Sequence, residues 1–251
     1  MRCGISQSKI SKIENGRALP SVIDVERILR GIGAPATVRD EVAALARLAN
    51  TEFQDLRSLL RRGLHHRQRE LAALEQEATT FRYFLPTMIT GLLQTAEYLR
   101  VALADNSADL SRTVLLKLDR QTVLYDGSKS FTFVLTEAAV RWPLCPPLAM
   151  AAQLDRLISV ASLRHIRLGI VPLSRPVPIG PLNAFTVYDD RLVTAEVLSG
   201  LIIMRDPRDV EFHLERFTIF EEHAAFGDAA VALLNGWAAE FRKRNDGTHP
   251  S

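Results

Sequence analysis

The most constraining feature of this sequence is a change in hydrophobic periodicity along the chain. Up to Pro86 the apolar residues recur every three to four positions, as they do in amphipathic helices. After residue 130, short runs rich in β-branched and aromatic residues alternate with helical patterns. These runs are FTFVLT (131–136), IRLGIVP (166–172), NAFTVYD (183–189), LVTAEVL (192–198) and GLIIM (200–204). Because they lack regular βαβ alternation, the sequence predicts an all-α N-terminal part followed by an α+β domain.

The helical patterns can be placed by their capping residues and apolar spacing. Serines that precede short amphipathic stretches predict helices beginning after Ser6 and Ser21, and a third amphipathic stretch covers 38–60. A fourth helix is expected to begin near Leu71 and to be stopped by Pro86. Further helices are expected over 91–104, 110–125, 147–163, 207–224 and 228–244.

The basic run RRGLHHRQR at 61–69 separates two differently patterned parts of the chain. It contains Gly63, which favours a bend or a linker. We therefore predict a helical unit over 1–50, a basic helical linker over 51–69 and a C-terminal domain over 70–251. The apolar patterns after Glu70 are self-sufficient, so we expect this last domain to fold without the residues before it.

Positive charge is concentrated at the N-terminal end. Residues 1–69 hold 13 Lys and Arg against 7 Asp and Glu, whereas residues 70–251 hold 18 against 22. A basic arm on a mildly acidic body favours a polyanionic partner at the N-terminal end. A solvated helical face explains the charge alone equally well.

The composition argues against several classes of protein. Apolar residues make up 47% and charged residues 24% of the chain, as in ordinary globular proteins. The longest stretch without a charged side chain is 14 residues, 83–96, and a membrane-spanning helix needs about 20. With Cys3 and Cys145 as the only cysteines, a disulfide scaffold is not expected, and a reducing cytoplasm is favoured.

Motifs that carry enzyme chemistry are absent from the sequence. The six histidines do not follow metal-ligand spacing, and no G-x-S-x-G elbow, P-loop or G-x-G-x-x-G occurs. We therefore predict no metal site, no cofactor, no catalytic residues and no enzymatic activity. Glu137, Arg141 and Glu196 could line a polar pocket for a ligand or partner. The reading we favour instead is a surface ion pair between Glu137 and Arg141 at helical i,i+4 spacing.

The segment SQSKISKIENGRALPS (6–21) resembles the recognition-helix half of a phage-repressor-type helix-turn-helix domain, the xenobiotic-response-element class. The resemblance implies double-stranded DNA as partner and a homodimer that binds two half-sites. It implies that Gln7, Ser8 and Lys12 read bases in the major groove. It also assigns the phosphate backbone to a second set of residues: Ser6, Lys9, Ser11, Asn15 and Arg17.

The same class normally carries two helices before its recognition helix, and this chain begins only a few residues ahead of it. Ile10 and Ile13 would pack against those helices. We therefore expect either a start further upstream or a shortened helix-turn-helix whose selectivity for DNA sequence is reduced.

The remainder of the chain has a resemblance of its own, which spans about residues 70–245. It is carried by five segments in a fixed order: TGLLQTAEYLR (90–100), RTVLLKLDRQTVL (112–124), LTEAAVR (135–141), MAAQLDRLISVA (150–161) and IRLGIVPL (166–173). Together they resemble the C-terminal domain of uncharacterised function in actinobacterial, antitoxin-like regulators. That resemblance implies regulation through this domain and a small partner protein encoded nearby.

Two hypotheses about function follow. The first is a transcriptional regulator that reads DNA with the helix at 6–15 and is regulated through its C-terminal domain. The alternative is an interaction protein whose shortened helix-turn-helix no longer binds DNA specifically and whose C-terminal domain binds a ligand or a partner.

Overall fold

The structure is a computed structural model that describes residues 3–55, 73–104 and 110–246. The helices are α1 (Gln7–Glu14), α2 (Val22–Gly31), α3 (Ala36–Asn50), α4 (Ala96–Ala102), α5 (Leu110–Arg120), α6 (Glu137–Arg141), α7 (Pro147–Ala161), α8 (Pro207–Glu222) and α9 (Asp228–Asp246). A 3₁₀ turn, Gln121–Tyr125, continues α5. The strands are β1 (Thr51–Asp55), β2 (Thr80–Leu85), β3 (Ser130–Thr136), β4 (Ile166–Val171), β5 (Phe185–Tyr188), β6 (Leu192–Val197) and β7 (Gly200–Met204). None of the described helices is long and apolar enough to cross a membrane.

The seven strands form one mixed sheet in the order β1-β7-β6-β5-β2-β3-β4. β2, β3 and β4 are parallel, and the strands on the other side of β2 are antiparallel. Helices α7 and α9 cover one face, where Leu154, Trp237 and Phe133 belong to the same buried apolar cluster. Helix α8 covers the opposite face, where Phe220 packs against Phe84. The predicted α+β class is therefore confirmed.

All five strands expected from the β-rich runs are present, but two further strands were not predicted. β2 lies within the stretch that we assigned to a helix ending at Pro86. In its second half Tyr83, Phe84 and Leu85 are all buried, on both faces of the sheet, and so lack the alternation that marks a half-exposed strand, while Thr80 and Arg82 stay partly exposed. The expected third helix over 38–60 ends at Asn50, and Thr51–Asp55 form β1 instead of helical linker. The rest of that predicted linker, 56–69, lies outside the described residues.

Buried glutamine side chains form hydrogen bonds with the backbone in and around the GLLQT segment (91–95). The Gln94 amide donates to the Ile89 carbonyl at 2.6 Å, and Gln121 donates to the carbonyls of Gly91 and Gln94. From α7, Gln153 donates to the Leu93 carbonyl and accepts from the Thr95 amide. Unpaired backbone groups are costly to bury. These side chains therefore allow an irregular loop to run through the core.

Candidate nucleic-acid interface

Helix α1 presents the residues that resemble a recognition helix. The Ser6 hydroxyl caps its first turn by accepting a hydrogen bond from the Lys9 amide at 3.3 Å. The helix ends before Gly16, whose positive φ of 66° reverses the chain, and α2 begins after its own cap at Ser21. Ile10 and Ile13 are half-buried on one side of α1. The local sequence thus folds into the helix, turn and helix that we predicted.

The structure places all the proposed DNA-contacting residues on the surface. Gln7 and Ser8 occupy the first turn of α1, and Lys12 follows about one turn later. These three side chains are exposed, as are those assigned to the phosphate backbone: Ser6, Lys9, Ser11, Asn15 and Arg17. The geometry therefore leaves the predicted face of α1 accessible to a duplex.

Two of these residues also hold the unit together. The Lys9 ammonium lies 2.7 Å from the Asp24 carboxylate, which joins α1 to α2. Asn15 donates to the Ser11 carbonyl at 2.7 Å and so caps the end of α1. Burial works against ionisation of Asp24, but Lys9 and the amide and hydroxyl of Ser21 outweigh it and lower the pKa of this carboxyl group. Asp24 is therefore charged whenever the unit is folded near neutral pH.

A second carboxyl group with a lowered pKa is Asp189, in the turn between β5 and β6. Burial opposes its ionisation, but hydrogen bonds from the amides of Thr79 and Thr80, at 2.9 and 2.7 Å, lower its pKa. Asp189 has a positive φ of 47°, a backbone conformation that residues other than glycine adopt uncommonly. The ionised carboxylate thus stabilises a strained turn.

We expect acid to destabilise the fold as the pH falls through the ordinary carboxyl pKa of 3.8. A group whose pKa is lower in the folded chain than in the unfolded chain stabilises the fold above the unfolded value, and this stabilisation is lost on acidification. Denaturant unfolding of the wild type and Asp189→Asn at about pH 6 and about pH 3 measures the effect. The variant should lose less stability between the two pH values, and an equal loss would contradict this assignment.

The structure brings together two of the three residues predicted to line a polar pocket, Glu137 and Arg141. Arg141 bonds Glu137 at 2.6 Å and Glu240 of α9 at 2.9 Å, and Glu137 also accepts from the Leu173 amide. This pair thus ties α6 to α9 and to the end of β4. Glu196 lies on β6, and β5 and β2 separate that strand from β3, which leads into Glu137. β6 and β3 are therefore three inter-strand spacings apart, which amounts to about 14 Å.

A buried ion pair in the C-terminal domain was not predicted. Glu75 is 2% exposed, and its carboxylate lies 3.0 Å from the Arg120 guanidinium and 3.4 Å from the Tyr83 hydroxyl. Burial raises the pKa of Glu75, while the positive charge of Arg120 opposes the rise. Neither residue stands in a recognisable motif, so no local sequence pattern pointed to the pair. Among the residues that the structure describes, no group of acidic residues, histidines and cysteines could hold a metal ion.

Two family models match separate parts of the chain. A family model for a helix-turn-helix domain matches residues 1–45, and the model for a domain of unknown function, DUF5753, matches residues 68–236. No curated protein matches the chain significantly.

Two of the solved proteins with distant structural similarity to this chain illustrate how low the sequence identity is. TrmBL2, an archaeal chromatin protein, is 14% identical with a TM-score of 0.36, over 87% of this chain and 69% of that one. Nuc, a phospholipase D family member from Salmonella typhimurium, is 12% identical with a TM-score of 0.37, over 70% of this chain and 98% of that one.

The DUF5753 match covers most of the chain. The chain therefore belongs to the DUF5753 family and carries a helix-turn-helix domain at its N-terminus.

Proposed function

We propose that the protein is a transcriptional regulator that binds double-stranded DNA sequence-specifically through the major groove. The single observation that carries this proposal is α1, which exposes the polar side chains of a recognition helix within a matched helix-turn-helix domain. A helix that meets DNA with its N-terminal turn directs free amides and its dipole at the phosphates. Gln7 and Ser8 then face base edges, and Lys12 extends the same surface.

The proposal includes the finer points that the resemblance implies. The protein is a xenobiotic-response-element-type regulator of actinobacterial kind, acts in the cytoplasm without enzymatic activity and binds as a homodimer to two half-sites. The C-terminal domain regulates DNA binding.

The proposed specificity is tested by selecting duplexes from a randomised library with the full chain. A specific regulator enriches one sequence motif, whereas a basic arm that binds by charge alone enriches none. The selection is repeated at a second salt concentration, because non-specific binding weakens steeply as salt rises.

On the enriched duplex, Gln7→Ala is expected to relax preference at one base position and to cost about 1–3 kcal/mol there. Arg17→Ala should weaken binding to every sequence alike and reduce the salt dependence, because it removes a phosphate contact. Binding to a set of single-base variants measures both effects. A uniform loss for Gln7→Ala would remove this residue from the base-reading set.

A second candidate function is an antitoxin-like interaction protein that binds a small partner. Apolar side chains near the carboxyl ends of β3 and β4 support it, because Trp142 is 65% and Leu173 is 72% exposed. Leu173 bonds Glu137 at the start of α6 through its amide, and Trp142 directly follows α6, so each is an exposed apolar side chain next to this helix, where a partner could bind. Failure of the library selection, together with loss of partner binding in Trp142→Ser, would favour this alternative.

A further inference from the structure

The turn between β7 and α8 is where the C-terminal domain meets the helix-turn-helix. Asp206 in this turn is 2% exposed. One of its carboxylate oxygens accepts from the Arg208 amide at 2.9 Å and thereby caps α8. The other accepts from the Val22 amide at 3.1 Å, at the first residue of α2. A single carboxylate thus caps two helices that belong to different parts of the protein.

Neighbouring contacts strengthen this joint, by which we mean the contact between Asp206 in the β7–α8 turn and Val22 at the start of α2. The Arg205 amide donates to the Asn50 carbonyl at 3.0 Å, and the buried Asn50 side chain donates to the carbonyls of Pro20 and Ala46. The Arg208 guanidinium bonds the Glu26 carboxylate at 2.7 Å. β1, which follows α3 directly, pairs with β7 along its whole length. The α2–α3 pair is therefore held at its beginning and at its end by the same strand and turn.

The joint continues to the recognition helix through two residues. Val22 lies two positions before Asp24, which closes the capping box of α2 with Ser21 and bonds Lys9 of α1. The apolar core beneath is small and consists mainly of Val22, Val25, Ala43 and Ala46. Every residue of α1 stays at least partly exposed. The pose of α1 therefore depends on α2, and the pose of α2 depends on the C-terminal domain.

We infer that Asp206 is a positioning residue that seats α2 and so fixes the recognition helix relative to the C-terminal domain. The consequence for DNA binding rests on the proposed function, whereas the placement of α2 by Asp206 does not depend on it. Any change in the β7–α8 turn then alters how α1 meets a duplex. The turn is thus the place where the C-terminal domain acts on DNA recognition.

Asp206→Ser in the full chain separates the two roles of this carboxylate. Serine is a good N-cap and retains the cap of α8, but its single short hydroxyl cannot also reach the Val22 amide. Hydrogen exchange should accelerate about tenfold across 7–31 and stay unchanged across 130–171, since a buried hydrogen bond to a charged group is lost. Arg167→Ala is the matched control, because it breaks an ion pair with Glu221 inside the C-terminal domain. It should leave exchange across 7–31 unchanged.

Unchanged exchange across 7–31 in Asp206→Ser would overturn the inference. If this variant does not fold, Arg208→Ala tests the same joint, because it removes the Glu26 contact and leaves Asp206 in place. It should accelerate exchange across 7–31 by a smaller factor, and no acceleration would again overturn the inference.

The DNA measurement uses the library-selected duplex and its scrambled version. Asp206→Ser should lower the affinity ratio between the two by about tenfold and leave binding to the scrambled duplex at low salt unchanged. An unchanged ratio despite faster exchange would overturn the role in recognition. If the wild type has no preference between the duplexes, the proposed function fails, while the exchange result still decides the seating.

Discussion

Replacing Arg120 by methionine is expected to lower the free energy of unfolding by about 3–5 kcal/mol. The guanidinium lies 3.0 Å from the Glu75 carboxylate, and both side chains are almost fully buried. Removing one partner of such a pair leaves an uncompensated charge in the core. Denaturant unfolding followed by circular dichroism measures the loss.

The second substitution Glu75→Leu should restore most of that stability, because apolar residues often replace a buried ion pair at little cost. The loss in Arg120→Met alone should also shrink at low pH, since the pKa of Glu75 is already raised by burial and its protonated form is neutral. Arg242→Ala is the control, because it breaks an exposed pair with Asp155 and should cost at most about 1 kcal/mol. Equal losses in Arg120→Met and Arg242→Ala would show that the buried pair contributes no more than a surface one.

Phe84→Ala is expected to cost about 3–5 kcal/mol of stability. Phe84 is 1% exposed, and its ring stacks on Phe220 of α8 with centroids 3.9 Å apart, beside Phe185 of β5. Truncating it opens a cavity between the sheet and α8, which neighbouring strands cannot fill by a small shift. Thermal unfolding of the full chain gives the change in stability.

Phe212→Ala provides the comparison on the same helix, because this ring is about half exposed. Its loss should change stability by less than about 1 kcal/mol. If Phe84→Ala were equally mild, α8 would not be packed on the sheet as the structure describes.

How far the sequence predicts this fold depends on how each element is buried. Strands β3 to β7 contain β-branched and aromatic runs bounded by turn residues, so their local composition identifies them. β2 has the same composition but follows a helical pattern directly, so no turn marks its start, and the burial of Tyr83, Phe84 and Leu85 removes the alternation from its second half. β1 has no strand signal of its own, since TEFQD is largely polar. It becomes a strand because β7 offers it an edge.

The residues in and around the candidate interface likewise differ in whether a local sequence pattern points to them. Gln7, Ser8 and Lys12 lie within six consecutive residues, so a local motif was sufficient to propose them as base-reading residues. Asp206 bonds Val22 across 184 residues, and its role could not be read from either neighbourhood. The Glu75–Arg120 pair is a long-range contact of the same kind. Contacts that join distant segments depend on the assembled fold, which periodicity and motifs do not encode.

The proposed reading of DNA sequence by α1 is tested most directly by one affinity ratio. The affinity of the full chain is measured for the library-selected duplex and for its scrambled version at physiological salt. A specific regulator should prefer the selected duplex by about 1,000-fold or more. Equal affinities for the two duplexes, both falling steeply as salt rises, would show that the chain binds DNA by charge alone and would contradict the claim.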